Sequence, residues 1–298
     1  TNFDRKKDLG TLAVYGQNVR INHGELYTKT NYIVNDKASL ILLNSAFAQH
    51  QESYFGVKKY DGKQFNLTSS LYMDYYYGEK NHNLKFGLSH RHNRLQEDIS
   101  FTAPLPLLTY AGRYLTNYDI PGAFVENKLV VSKFTFLTGL RVDHFGDFGW
   151  KATPRLLVRA DISIDTDIRF SIGKGYRIAH VFTENANLLA SNRILKLSDN
   201  LAPEEAINTG LNFVQSFHLK ETKITLSGDA YVTYFQNQIF PDFDKEVNTA
   251  IVDNFFGRSV SKSFQLENKW EFSPKFDIKV AYNYLEVYRE NEGIKQDL

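Results

Sequence analysis

Gly173 and Gly175 stand one residue apart in DTDIRFSIGKGYRIAH (165–180), directly after an apolar-rich run. A glycine pair so placed could open a phosphate-cradling loop. That chemistry needs a third glycine near the start of an amphipathic helix, where free backbone N–H groups face the phosphate. Its place falls on Ile178, and HVFTENANLLASNR beyond it has no helical stripe. Other residues suggest other chemistry. His90 and His92 form an H-x-H on one strand face, a spacing metal sites use, but no Asp, Glu or Cys accompanies them at ligand spacing. Glu204 and Glu205 could suggest acid–base work; at the start of a strand they read as solvated. His144, His180 and His218 lack the Ser and Asp company of a hydrolase. No catalytic residue, cofactor or metal site is expected. TYAGRYLTNYD (109–119) is rich in Tyr and Arg, which make contact surface at little entropy cost, or which pack a loop against itself.

The elements that must position these residues follow a period of two. Ile168, Phe170 and Ile172 fall on one face; Arg169, Ser171, Gly173, Gly175 and Arg177 fall on the other. The pattern repeats in KFTFLTGLRVDHF, ITLSGDAYVTYF and FDIKVAYNY. It predicts about thirteen strands and no helix. A soluble antiparallel sheet also alternates, so the connections decide. Short turns are expected at Asn35–Lys37, Gly78–Asn81, Val131–Lys133, Ser163–Thr166, Lys220–Thr222 and Ser273–Lys275. Longer polar connections lie between them at 53–62, 96–117, 146–151, 178–202 and 239–255. Outer-membrane barrels have this asymmetry. Many of the strands also exceed the roughly 9–11 residues that a tilted spanning strand requires.

Two further patterns agree. Tyr75, Tyr77, Phe134, Phe217, Trp270, Phe272 and Phe276 stand beside the short turns on the apolar parity, as a ring at one membrane interface would. Arg141, Asp143, Arg155, Arg159, Asp161, Arg169, Glu267, Lys269 and Glu271 occupy the other parity, too polar for a second packed core. Composition is consistent. The 298 residues include 18 Tyr and 23 Phe but one Met, more aromatics than a soluble core uses. The absence of Cys excludes a disulfide framework, a thiolate zinc site and a cysteine nucleophile. A net charge of +1 offers no basic field for nucleic acid. No apolar run reaches the length of a transmembrane helix.

At this point GLRVDHFGDFGWKATPRLLVRADISIDTDIRFSIGKGYR resembles the middle of a TonB-dependent outer-membrane receptor barrel. In that family a strand ending G-L-R-x-D leads to a P-R strand, a short turn and a strand ending G-x-G-[YF]-R. LAPEEAINTGLNF is similar to the family's L-x-P-E strand, and SFQLENKWEF with FDIKVAYNYLEV to the hairpin that follows. The resemblance covers roughly 115–290. It implies an all-β, antiparallel transmembrane β-barrel of outer-membrane receptor type, with about thirteen of 22 strands in this chain. Residues 1–298 then form a fragment of one barrel domain, with no plug domain inside it. It further implies TonB-energised uptake of a scarce bulky ligand: an iron chelate, a cobalamin-type cofactor or an oligosaccharide. Outer-membrane lipid, and TonB reached through a plug, are the implied partners. Ligand would be captured at the outer mouth by Tyr110, Arg113, Tyr114 and Arg177. A passive porin or an adhesin-like barrel is the alternative. Segments 96–117 and 178–202 are expected to be extracellular and the least ordered.

Overall fold

A computed structural model describes residues 4, 7–79, 82–105, 107–198, 201–291 and 294–297. Five long strands come first: β1 (Gln17–Asn35), β2 (Ala38–Phe55), β3 (Lys58–Tyr77), β4 (His82–Phe101) and β5 (Gly112–Val131). There follow β6 (Phe134–His144), β7 (Trp150–Ser163), β8 (Thr166–Arg177), helices α1 (Val181–Glu184) and α2 (Ala186–Ala190), and β9 (Ile194–Leu197). The remainder is β10 (Glu204–Leu219), β11 (Thr222–Gln236), β12 (Gln238–Asp242), β13 (Thr249–Phe255), β14 (Arg258–Ser273), β15 (Phe276–Asn291) and β16 (Ile294–Asp297). Among the described residues, thirteen of these strands form one sheet, in chain order from β1 to β16 without β9, β12 and β13. Every neighbouring pair in that sheet is antiparallel. The other three make a small second sheet, in which β9 runs parallel to β13.

Five expected short turns fall between strands as the sequence predicts: β1–β2, β5–β6, β7–β8, β10–β11 and β14–β15. The turn at Gly78–Asn81 lies partly outside the described residues. Ser132 and Lys220 hold positive φ of 52° and 56°, the left-handed step such tight reversals need. Registry aligns the apolar parity across the sheet: Ile168 faces Phe213, Ile224 faces Trp270 and Trp270 faces Ile278. This outer face leaves Phe170, Leu211, Val280 and Tyr282 exposed, with Tyr75, Phe134, Phe217, Phe272 and Phe276 near the short turns. An apolar exposed band of this kind is what a hydrocarbon surround stabilises.

The long connections differ from expectation. Segment 53–62 is a tight reversal, because β2 and β3 stay paired from Phe55↔Lys58 downward. The β4–β5 connection shrinks to 102–111, since pairing runs on to Ile99↔Gly112. Segment 178–202, read as unordered and free of helix, holds α1, α2 and β9, and 239–255 holds most of β12 and all of β13. Both fold against the inner, polar-parity face. Phe182, Leu188, Leu189, Leu195, Ala250 and Val252 bury themselves with Phe55, Tyr60, Ile99 and Tyr110. Their apolar residues have no strand period because they serve a local core rather than a face.

Strict alternation also fails at the top of β8. It would put Tyr176 on the apolar face with Ile172, yet its hydroxyl donates to Asp143 Oδ2 at 2.8 Å. Pairing between β7 and β8 ends at Arg155↔Gly173, next to Pro154, which has no N–H to offer. Released from that ladder, the glycine-flanked end of β8 turns Lys174 and Tyr176 toward the inner wall. The two glycines therefore serve a strand, not a phosphate.

Candidate functional site

The inner face and the infolded segment enclose a cavity of about 800 Å³ at the end opposite the short turns. Its wall side comes from Glu97 on β4 and from Tyr114 and Tyr118 on β5; Phe145 and Phe148 come from the β6–β7 connection, and His180 and Phe182 from the infolded segment. Rings dominate. Tyr114 meets Phe182 at 4.8 Å, Tyr118 meets Phe145 edge-on at 5.5 Å, and Phe145 meets Phe148 at 5.1 Å. Such a surface suits a ring-bearing or bulky ligand better than a small ion.

The infolded segment is pinned by polar contacts. Buried Glu97 accepts from Tyr60 Oη and Thr183 Oγ1, each at 2.9 Å. Lys58, also buried, donates from Nζ to Leu189 O and Asn192 Oδ1 at 3.0 Å each, and to Ser191 O. Its positive charge lies at the C-terminal carbonyls of α2, where the backbone favours a cation. Burial holds the His180 imidazole below its ordinary pKa, opposed by Glu97 and Glu184, with Arg177 acting in the same direction as burial.

Two of the four candidate ligand residues, Arg113 and Tyr114, border the cavity; Tyr110 and Arg177 do not. Tyr110 is packed beneath it in the loop core, 3 % exposed, and burial pushes its hydroxyl up to about 12. Arg113 has the opposite parity on β5 and pairs with Asp98 at 2.6 Å. Arg177 is held by Glu204 and by Glu184 of the infolded segment. Tyr118 belongs to the Tyr-rich stretch 109–119, whereas Phe145, Phe148 and Phe182 were not singled out in the sequence; nothing in their local spacing sets them apart from strand and loop aromatics.

Other side chains find partners that sequence spacing hides. Glu204 and Glu205 are not solvated: Glu204 binds Arg177, and Glu205 binds Lys151 at 2.7 Å and Lys174 at 2.6 Å. His90 and His92 do have an acidic companion, Asp119 on the next strand, which meets them at 3.1 and 3.0 Å. Both imidazoles approach the same oxygen, and no His, Cys, Asp or Glu group suited to a metal is found among the described residues. Arg141 and Asp143 pair with each other at 2.9 Å, and Arg169 pairs with Asp167 at 2.7 Å. Gly122 leaves the space Asp143 occupies; a Cβ there would meet its carboxylate at 2.0 Å.

An ion-paired inner wall, an apolar outer face and loops packed inward at one end are the features of an outer-membrane receptor barrel. The family model for the TonB dependent receptor-like β-barrel matches residues 1–297, and the chain belongs to that family. Solved structures agree in fold. The ferric yersiniabactin uptake receptor FyuA of Yersinia pestis superposes with a TM-score of 0.65 at 15% identity, over 96% of this chain and 46% of that one. The pyoverdine outer membrane receptor FpvA of Pseudomonas aeruginosa gives 0.61 at 10% identity, over 94% and 46%. The alcaligin outer membrane receptor FauA of Bordetella pertussis gives 0.60 at 10%, over 92% and 48%. The chain thus spans less than half the length of these receptors. Comparison with curated proteins gives no match.

Proposed function

We propose that this chain is part of the barrel of a receptor that takes up a scarce, bulky ligand with energy delivered through TonB. An iron chelate is favoured over a cobalamin-type cofactor or an oligosaccharide, because the similar folds named above belong to siderophore receptors. The observation that carries the reading is the mouth: loops packed inward around an aromatic cavity suit capture, whereas a porin needs an open polar channel. In this reading the outer face meets lipid, further strands complete the barrel, and a plug linked to TonB fills its lumen. Tyr114 touches ligand, while Tyr110, Arg113 and Arg177 hold the mouth in shape.

The test is uptake by cells carrying the full-length receptor, with and without TonB and with and without an uncoupler. Surface binding should persist while transport is abolished in either treatment. Uptake that continues unchanged in both would favour a passive porin.

A further inference from the structure

One polar row breaks the apolar outer face. On β2, Asn44 stands outward, with Leu40 and Leu42 toward the short turn and Ala46 and Ala48 beyond it. On β3, Ser69 lies opposite Asn44, likewise between outward Leu71 and Leu67. Thr28 of β1 faces Asn44 from the other side. Ser69 Oγ donates to Asn44 Oδ1 at 2.8 Å, and Asn44 Nδ2 donates to Thr28 Oγ1 at 3.3 Å. The row runs on to His90 of β4, opposite Ser69, whose imidazole meets Asp119. Asn268 on β14, also outward, instead faces Leu226 and Val280 on its two neighbouring strands.

Beside this row the side chains are small. Gly24 of β1 pairs with Ala48 without a left-handed φ, and a Cβ there would meet nothing within 4 Å. The packing of this chain therefore does not call for glycine at that place. A strand glycine facing open space marks the close approach of another backbone. In hydrocarbon, small residues beside hydrogen-bonding ones favour contact with protein over contact with lipid, because polar groups find partners only in protein.

Charge indicates the occupant. Toward the mouth the same face carries Arg20, Lys63 and Arg94, exposed and without an ion pair among the described residues. Glu52, Asp61 and Asp98 stand side by side in one register row, each with a single basic partner: Lys59, His50 and Arg113. A face that bears unpaired cations next to a carboxylate row complements itself. Thr, Ser and Asn side chains, which both donate and accept, do the same. Two copies inserted in the same sense are related by an axis along the membrane normal, and a closed twofold contact is the commonest kind. An axis between β2 and β3 sets Asn44 against the partner's Ser69, Thr28 against the partner's His90, and Arg20 near the partner's Asp98. We propose that the outward face of β1–β4 is a contact with a second copy of the receptor inside the membrane. The proposal rests on the receptor reading above, which places this face in lipid, and adds the partner.

This chain has no Cys, so one introduced thiol reports one contact. The experiment uses the full-length receptor in vesicles, with any cysteine outside this chain replaced by serine. Ala46→Cys should cross-link the receptor to itself on mild oxidation, at least about tenfold faster than Val280→Cys on the far side of the sheet. Mass photometry in lipid nanodiscs counts the copies directly. Asn44→Leu should weaken the pairing about tenfold, and Gly24→Leu, whose side chain has room in the single copy, should abolish it. Both variants should leave the melting of the barrel unchanged. Single copies at every receptor density overturn the proposal, as do equal cross-linking rates at the two thiols. Pairs that survive Gly24→Leu and Asn44→Leu overturn it too, and so does an Ala46→Cys thiol that in whole cells links to a different protein. Failure of the receptor reading looks different: uptake would continue without TonB, whatever the number of copies.

Discussion

Replacing Lys58 with Met should release the infolded segment while leaving the barrel intact. Lys58 is the first residue of β3 and 3 % exposed, and its ammonium is shared by three acceptors of segment 178–202. Methionine keeps the length of the stem and loses the donors. Leu189 O is the acceptor left fully buried, and an orphaned buried acceptor costs about 1–3 kcal/mol. Ser191 O and Asn192 Oδ1 are only partly buried, so water recovers most of what they lose. The sum is about 2–3 kcal/mol, or about 30- to 150-fold in the opening equilibrium of the segment. Hydrogen exchange on the full-length receptor in vesicles reads this directly, as faster exchange of amides in 181–197 against an unchanged β3–β4 ladder. Lys59→Met is the control. Its ammonium pairs with Glu52 at 2.8 Å on the opposite face and is partly exposed, so its loss should cost well under about 1 kcal/mol. Exchange unchanged in Lys58→Met, or accelerated equally in Lys59→Met, would refute the latch.

Two further outcomes follow from facing and from burial. Phe170→Arg, on the apolar parity and several residues above the β7–β8 turn, should destabilise the receptor in membranes by about 2–4 kcal/mol. Ser171→Arg, one residue along, should cost far less; equal losses in a denaturant titration would contradict the assignment of faces. Burial depresses the pKa of His180, so below its ordinary value of 6.5 the unfolded segment binds more protons than the folded one. Stability contributed by this residue is therefore lost as pH falls from about 6.5, and protection of the amides in 181–197, taken relative to their intrinsic exchange rates, should fall at pH 5 relative to pH 7.5. His180→Phe should flatten that dependence, and a wild-type profile without any slope would remove His180 as its source.

The strands and their turns were legible because both signals are local. A period of two needs only five or six consecutive residues, as in DIRFSIG, and a reversal such as Ser163–Thr166 is set by the residues at the turn itself. A lipid-facing strand strengthens the signal, since its apolar face cannot be shortened or interrupted without cost. The same reasoning was misled where the chain leaves that constraint. In 178–202 the apolar residues Phe182, Leu188, Leu189 and Leu195 looked aperiodic because they pack into one local core with Phe55, Tyr60, Ile99 and Tyr110 rather than along a strand face. Their helices are of one turn, too short for a stripe to show.

The candidate site was less legible because its chemistry is carried across strands. Asp119 lies 27 residues from His92, and Asp143 lies 52 from Arg91, yet each pair is within hydrogen-bond reach. Register alone creates these contacts, and register depends on the length of every turn between. A search for acidic company at ligand spacing along one strand therefore had to miss both. Arg113 shows the converse. TYAGRYLTNYD gathers Tyr and Arg in one stretch, and both Arg113 and Tyr114 border the cavity, but the period of two packs the Tyr114 ring on Phe182 and gives the Arg113 guanidinium to Asp98. Residues close in sequence on a strand are divided between two environments, while residues far apart on neighbouring strands share one. For a barrel receptor the unit that binds is thus a patch several strands wide. Its charge is decided by which cations share which carboxylates rather than by the composition of any single segment.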